Sequence, residues 1–290
     1  MNGYPMRSFF RQPFDDVMAC LEPIVTVKSP IRAMGSMMAA LIVTWFIYVP
    51  IHELLHVLGC LLAGGEVDQL EIAPRYGGAL LARVFPFVVS GGEYAGRLSG
   101  FDWKGSDLIY LATDFMPYLL TVLIGVPLIR LATRRRRPVV FGLGIVLGLA
   151  PFYNLPGDYY EMGSIITTRV VTWTIGPDTG DAAHASDAPT PDAAVDGGSL
   201  PKTDAASGAA RAPAELAFNE LRSDDVIKLL TEVVARPEEL GLEGVGQIAV
   251  GLLIVFVGMT VAVLLAFGTY RLGRLFSGVV LPRNTGSALP

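Results

Sequence analysis

Cysteine, histidine and charged residues are all scarce in this chain of 290 residues. Its two cysteines, Cys20 and Cys60, fall in segments that we assign to different compartments, which argues against a disulfide framework. Only 17% of the residues are charged while 52% are hydrophobic, a balance that indicates a polytopic membrane protein rather than a soluble globule. There is no nucleotide-binding glycine loop and no internal repeat, and we expect no nucleic-acid partner. The beginning of the chain lacks a signal-peptide pattern, so we expect no cleaved signal.

Long apolar segments, by contrast, are plentiful. Four of them are candidates for membrane spans, at about residues 33–62, 108–131, 139–158 and 247–270. Arginine and lysine cluster before the first span, between the second and third, and after the fourth, and the positive-inside rule places all three clusters in the cytoplasm. The sequence therefore predicts an α-helical polytopic membrane protein with about four transmembrane helices. We expect it in the cell (plasma) membrane with both termini cytoplasmic.

The segments between the spans differ in composition. Residues 33–175 are predicted to form the membrane core, with a small β-hairpin over 67–89, where two β-prone runs flank a Pro-Arg-Tyr-Gly-Gly turn. Residues 1–32 fit an amphipathic lead-in at the cytoplasmic surface or a poorly ordered terminus equally well. Three further assignments are a disordered acidic linker (176–214), an extracytoplasmic helix (215–246) and a cytoplasmic tail (271–290).

The most informative motif is His52-Glu53-Leu54-Leu55-His56 in the first span. Residues i and i+4 share one face of a helix, so both imidazoles can reach a single metal ion. Glu53 lies beside them, where it can take a proton from a metal-bound water. The alternative is a pair of interior histidines that hydrogen-bond between helices, but polar groups inside a membrane are costly and usually mark function. The motif therefore predicts a zinc site.

A zinc site needs a third protein ligand, and depth in the membrane favours Asp158. His52 lies 20 residues beyond Arg32, the inner boundary of the first span, or roughly 30 Å along a helix. Asp158 lies 21 residues beyond Arg137, the inner boundary of the third span, or roughly 31 Å. The two residues thus arrive at nearly the same level, close to the outer face.

Other groups could compete for the third position. Glu161 lies one helical turn beyond Asp158 and is the main competitor, because glutamate is the third ligand of some HExxH peptidases. Asp114 lies near the start of the second span, on the same outer side of the membrane, and is predicted to be a helix N-cap or first-turn acid. His184 lies in the predicted linker and is a poor candidate.

Together these motifs resemble the site-2 protease family of intramembrane zinc metalloproteases. The resemblance covers roughly residues 35–165 and is carried by the histidine motif, the β-prone loop, a second helix and Asn154-Leu-Pro-Gly-Asp158. It implies a site-2-protease-like core in which zinc is held by His52, His56 and Asp158, with Glu53 as catalytic base and Asn154 positioning substrate. The chain departs from the family pattern at Leu55, where a small residue is common, and in the residues that flank Asp158.

The predicted function is zinc-dependent intramembrane endopeptidase activity toward membrane-embedded or membrane-proximal protein substrates, at a site facing the outer side of the lipid bilayer. One alternative is a membrane-anchored peptidase that trims soluble or lipid-anchored polypeptides at the outer face. Another is a non-catalytic membrane scaffold or maturation factor with a relic metal site, which would dock a partner through the acidic outer loop.

Overall fold

The computed structural model describes residues 5–92, 94–175, 226–237 and 245–281. Three of its helical segments are long and apolar enough to cross a membrane: Pro30–Ala63, Asp107–Arg135 and Ile248–Val280. The predicted linker (176–214), with His184, and residues 282–290 of the predicted tail lie outside the described residues. Of the predicted extracytoplasmic helix (215–246), the structure describes residues 226–237, which contain the helix Val226–Ala235, and residues 245–246, which begin the last helix.

The described elements follow one another in this order: α1 (Pro5–Val25), α2 (Pro30–Ala63), β1 (Glu66–Ile72), α3 (Gly78–Leu81), β2 (Val88–Ser90), β3 (Gly96–Asp102), α4 (Asp107–Phe115), α5 (Val126–Arg135), α6 (Pro138–Gly148), α7 (Ala150–Tyr153), α8 (Tyr160–Ile175), α9 (Val226–Ala235) and α10 (Val245–Val280). A 3-10 turn (Met116–Tyr118) and a π-helical turn (Thr121–Gly125) join α4 to α5. A second π-helical turn, Leu155–Tyr159, joins α7 to α8.

The helices pack closely because glycine lies where their backbones meet. At Gly59 of α2, an added Cβ would lie 2.5 Å from the carbonyl oxygen of Ala112 in α4. At Gly144 of α6, it would lie 2.8 Å from the backbone nitrogen of Ile129 in α5. Small residues allow such close approach within membranes. The glycine-rich sequence of α6 therefore serves helix packing, as its composition indicates.

The predicted third span is not one continuous helix. The stretch 139–158 is divided among α6, α7 and the π-turn, and α6 alone has 11 residues, too few to cross a bilayer of about 30 Å. Pro156 within the π-turn has no amide hydrogen to donate, and Gly157 has non-helical angles (φ −106°, ψ −118°). These two residues interrupt the regular helix just before Asp158.

The predicted hairpin over 67–89 is wrong. The sheet has the order β2-β1-β3, with β2 parallel to β1 and β3 antiparallel to it. The second half of the predicted hairpin instead forms α3 and the turns around it, which carry the chain back along the sheet so that β2 enters in the same direction as β1. The antiparallel partner, β3, comes from residues beyond the predicted hairpin. It is an edge strand of the sheet.

Residues 5–25 of the predicted lead-in form α1, which packs against the rest of the bundle. The Cys20 thiol donates to the carbonyl oxygen of Ile129 in α5 (3.2 Å), and the Tyr270 hydroxyl of α10 donates to Asp16 (3.0 Å). Phe10 and Phe14 stay exposed on the helix. This arrangement agrees with an amphipathic helix rather than a poorly ordered terminus. Cys20 and Cys60 are both free thiols.

Candidate metal centre

Three potential metal ligands converge at the heart of the bundle. His52 and His56, on one face of α2, are only 6% and 7% exposed. Their Nε2 atoms lie 3.1 Å apart. Asp158 reaches them from the π-turn, and its Oδ2 atom lies 3.2 Å from Nε2 of His52 and 3.4 Å from Nε2 of His56. Within the part of the chain that the structure describes, this is the one group of three that could hold a metal ion.

The second nitrogen of each histidine is occupied by a neighbour. Nδ1 of His56 lies 2.9 Å from the carbonyl oxygen of Thr113. Because a carbonyl oxygen can only accept, Nδ1 must carry the proton, which leaves Nε2 of a neutral imidazole with a free lone pair. Nδ1 of His52 lies 2.7 Å from the hydroxyl of Tyr48, one turn earlier on α2. Such partners orient the imidazole ligands of metal sites.

Asp158 is also held by a buried partner. The Tyr118 side chain is fully buried, and its hydroxyl donates to Oδ2 of Asp158 at 2.5 Å. The Tyr118 ring lies edge-on to His52, with centroids 5.6 Å apart. One tyrosine therefore fixes the carboxylate and packs against an imidazole of the same centre.

The donor set fits a divalent transition metal. Two imidazole nitrogens and one carboxylate oxygen are the ligands of many catalytic sites, and tetrahedral coordination at bond lengths of about 2 Å separates such ligands by about 3.3 Å. The three observed separations, 3.1, 3.2 and 3.4 Å, agree with that value. Without a cation, the lone pair on Nε2 of His56 and the carboxylate of Asp158 would lie together beside His52 in a buried space, where unpaired polar groups are costly.

A cavity of about 690 Å³ adjoins the centre. His56, Asp158 and Glu53 lie on its wall, together with residues of β3. Glu53, half-buried next to His52, approaches β3 closely, since a Cβ added to Gly96 would lie 2.6 Å from the Glu53 carboxyl carbon. The cavity thus brings together a candidate metal centre, a carboxylate beside it and an edge strand.

The structure brings some of the predicted site residues together and separates others. His52, His56 and Asp158 converge, and Asn154 lines the cavity while its backbone carbonyl accepts the amides of Gly157 and Tyr159. Glu161 is not one of the three converging groups, and its carboxylate accepts a hydrogen bond from the hydroxyl of Tyr110.

The prediction that Asp114 is a helix N-cap or first-turn acid is wrong. Helix α4 begins at Asp107, so the first-turn acid is Asp107 and Asp114 lies in the last turn. The predicted span itself begins at about residue 108, which places Asp114 nearly two turns inside the helix rather than in its first turn.

Tyr48, Tyr118 and the carbonyl of Thr113 are supporting groups that sequence reasoning missed. Tyr48 could have been found, because it precedes His52 by four residues on the same helical face. Tyr118 and Thr113 are brought to the site only by the packing of distant segments, so no local signal points to them.

Comparison of the chain with protein-family models, with curated proteins and with solved structures finds no match. The chemistry of the centre must therefore be inferred from the residues themselves.

Proposed function

We propose that this protein is a zinc-dependent intramembrane endopeptidase of the site-2 protease type. The observation that carries the proposal is the convergence of His52, His56 and Asp158 beside Glu53, on a cavity bordered by an edge strand. The histidines lie on a helix long and apolar enough to span a membrane. Structural zinc sites have four protein ligands, whereas three protein ligands leave the fourth coordination position open to a water molecule. A buried set of two histidines and one aspartate therefore favours a hydrolytic role over a structural one.

The chain's own groups can perform the proton transfers of peptide hydrolysis. Zinc, when bound, would polarise a scissile carbonyl and increase the acidity of a water molecule. The carboxylate of Glu53, on the cavity wall, is placed to take the proton of the attacking water and to return it to the leaving amine. His52, His56 and Asp158 would hold the metal, and Tyr48, Tyr118 and the Thr113 carbonyl keep them in position.

Strand β3 offers a means of binding substrate. A helical transmembrane substrate has to be unwound before cleavage, and an extended segment can be held by adding a strand to a sheet edge. Residues of β3 between Gly96 and Phe101 line the cavity that contains Glu53 and Asp158. We propose that an extended substrate pairs with this edge, rather than with the predicted hairpin over 67–89.

The basic clusters support a position for the centre near the outer face of the cell membrane. Arg134 to Arg137 follow the second candidate span, at the end of that segment opposite Asp114. Placing these arginines in the cytoplasm directs Asp114 and the neighbouring cavity toward the outside.

The test uses the full-length protein in proteoliposomes with a membrane-tethered polypeptide reporter. Wild type should bind about one zinc ion per chain and cleave the reporter, whereas Glu53→Gln should keep the metal and lose cleavage by at least about a hundredfold. Glu22→Gln, the same change at an exposed residue of α1, is the matched control and should behave as wild type.

Several results would contradict the proposal. If wild type binds no zinc, the enzymatic reading fails. If it binds zinc but cleaves nothing, the scaffold alternative gains support. Reporters whose scissile bond lies at different depths separate intramembrane cleavage from trimming of polypeptides at the outer face.

A further inference from the structure

Asp114 is a buried carboxylate with an unsatisfied oxygen. Its residue is only 5% exposed, and among the described residues its Oδ2 atom makes no hydrogen bond. Burial of a polar atom without a partner costs several kcal/mol, so each instance calls for an explanation. Asp114 is neither a helix cap nor one of the three converging metal ligands. Its carboxylate does, however, line the cavity beside the metal centre.

A second carboxylate borders the cavity near Asp114. Tyr110 lies four residues before Asp114, on the same face of α4, and its hydroxyl donates to Glu161 in the first turn of α8. Asp114 and Glu161 are near enough to interact electrostatically, and both lie on the cavity wall. Helices α4 and α8 therefore present two acidic groups and one tyrosine to the space that a substrate would enter.

The wall of the cavity is rich in acidic side chains and poor in basic ones. Its lining contains four carboxylates, those of Glu53, Asp114, Asp158 and Glu161, and one guanidinium, that of Arg97. Acidic groups thus outnumber basic ones on this wall by four to one, a composition that suits a cationic group of a ligand.

We propose that Asp114, together with Glu161, forms a subsite for a lysine or arginine side chain of the polypeptide substrate, next to the scissile bond. This inference rests on the proposed function and specifies its substrate class: polypeptides with a basic residue near the cleaved bond. An ammonium or guanidinium group would supply the missing donor to Oδ2 of Asp114. A second metal ion fits less well, because the described residues contain no other group of three suitable ligands.

The experiment compares reporters that differ in one residue near the scissile bond. Lysine, norleucine and glutamate are placed in turn at each flanking position, and kcat/KM is measured for the zinc-loaded full-length protein. Wild type should prefer lysine at one position, and Asp114→Asn should reduce cleavage of the lysine reporter at least about tenfold more than that of the norleucine reporter. The control Asp68→Asn, at an exposed residue of β1, should leave the preference intact.

Other outcomes would overturn the subsite. If Asp114→Asn reduces kcat/KM equally for the lysine and norleucine reporters, Asp114 supports the fold or the hydrolysis step and does not bind a basic side chain. If wild type shows no lysine preference, or if the substitution lowers the amount of bound zinc, the subsite is likewise refuted.

A binding measurement separates this inference from the proposed function. Fluorescence anisotropy of labelled lysine and norleucine peptides is recorded with Glu53→Gln, alone and combined with Asp114→Asn. If wild type cleaves nothing but Glu53→Gln binds the lysine peptide more tightly in a manner that depends on Asp114, the subsite stands and the peptidase function falls. If neither peptide is preferred, the subsite falls whether or not cleavage occurs.

Discussion

Removal of a single hydroxyl group, that of Tyr118, should weaken metal binding without touching any ligand. The hydroxyl donates at 2.5 Å to the same oxygen of Asp158 that faces both histidines, and the Tyr118 side chain is fully buried. In Tyr118→Phe, the carboxylate loses this orienting bond, and the phenyl ring offers no donor in its place. Loss of such a supporting group typically lowers metal affinity about 10- to 100-fold, which corresponds to about 1.4 to 2.7 kcal/mol.

The measurement is a competition titration of the metal-free protein in detergent micelles, with zinc and a chromophoric chelator. Tyr159→Phe is a closely matched control, because Tyr159 is also fully buried and packs on Tyr118 at a ring distance of 4.5 Å, but its hydroxyl donates to Thr269. Thermal unfolding of both variants reports on the fold. Equal zinc affinities for Tyr118→Phe and wild type, or an equal loss in Tyr159→Phe, would refute the reasoning.

Two further predictions concern glycines at close contacts. Gly96→Ala should press on the carboxyl group of Glu53 and lower turnover about 10- to 100-fold, while bound zinc stays at the wild-type level. Gly91→Ala is the control, because Gly91 has open space around it. An unchanged turnover in Gly96→Ala would contradict the contact. Gly59→Ala should lower the unfolding free energy by about 1–3 kcal/mol, because α2 and α4 would be forced apart. Gly35→Ala, also on α2 but facing open space, should be neutral or stabilising in the same unfolding assay.

Local sequence patterns predicted the parts of the centre that one helix determines. His52 and His56 share a face because of helical periodicity alone, and both lie buried on α2. Asp158 was predicted from a depth count along two separate spans. The structure places it beside the histidines, although the path to it is not a regular helix.

Contacts between distant segments were the part that the sequence did not reveal. Strand pairing depends on where the chain returns, and the helical turn Gly78–Leu81 made β2 parallel where a hairpin was predicted. The hydrogen bond between Tyr110 and Glu161 joins residues 51 positions apart, a separation that no local pattern reveals. Side-chain type indicates what a residue can bind, but only tertiary packing decides which partner it meets.

The two halves of the metal centre lie on segments far apart in the chain: His52 and Asp158 are separated by 106 positions. A bound ion would therefore act as a cross-link, tying α2 to the π-turn and closing a loop that contains the whole sheet. For a covalent link around a loop of about a hundred residues, restriction of the unfolded chain contributes about 5 kcal/mol. A metal ion that binds only the folded site likewise stabilises the folded state. A chelator that removes the ion would therefore lower the unfolding free energy of this protein. The ion would hold the walls of the cavity together as well as serve the chemistry inside it.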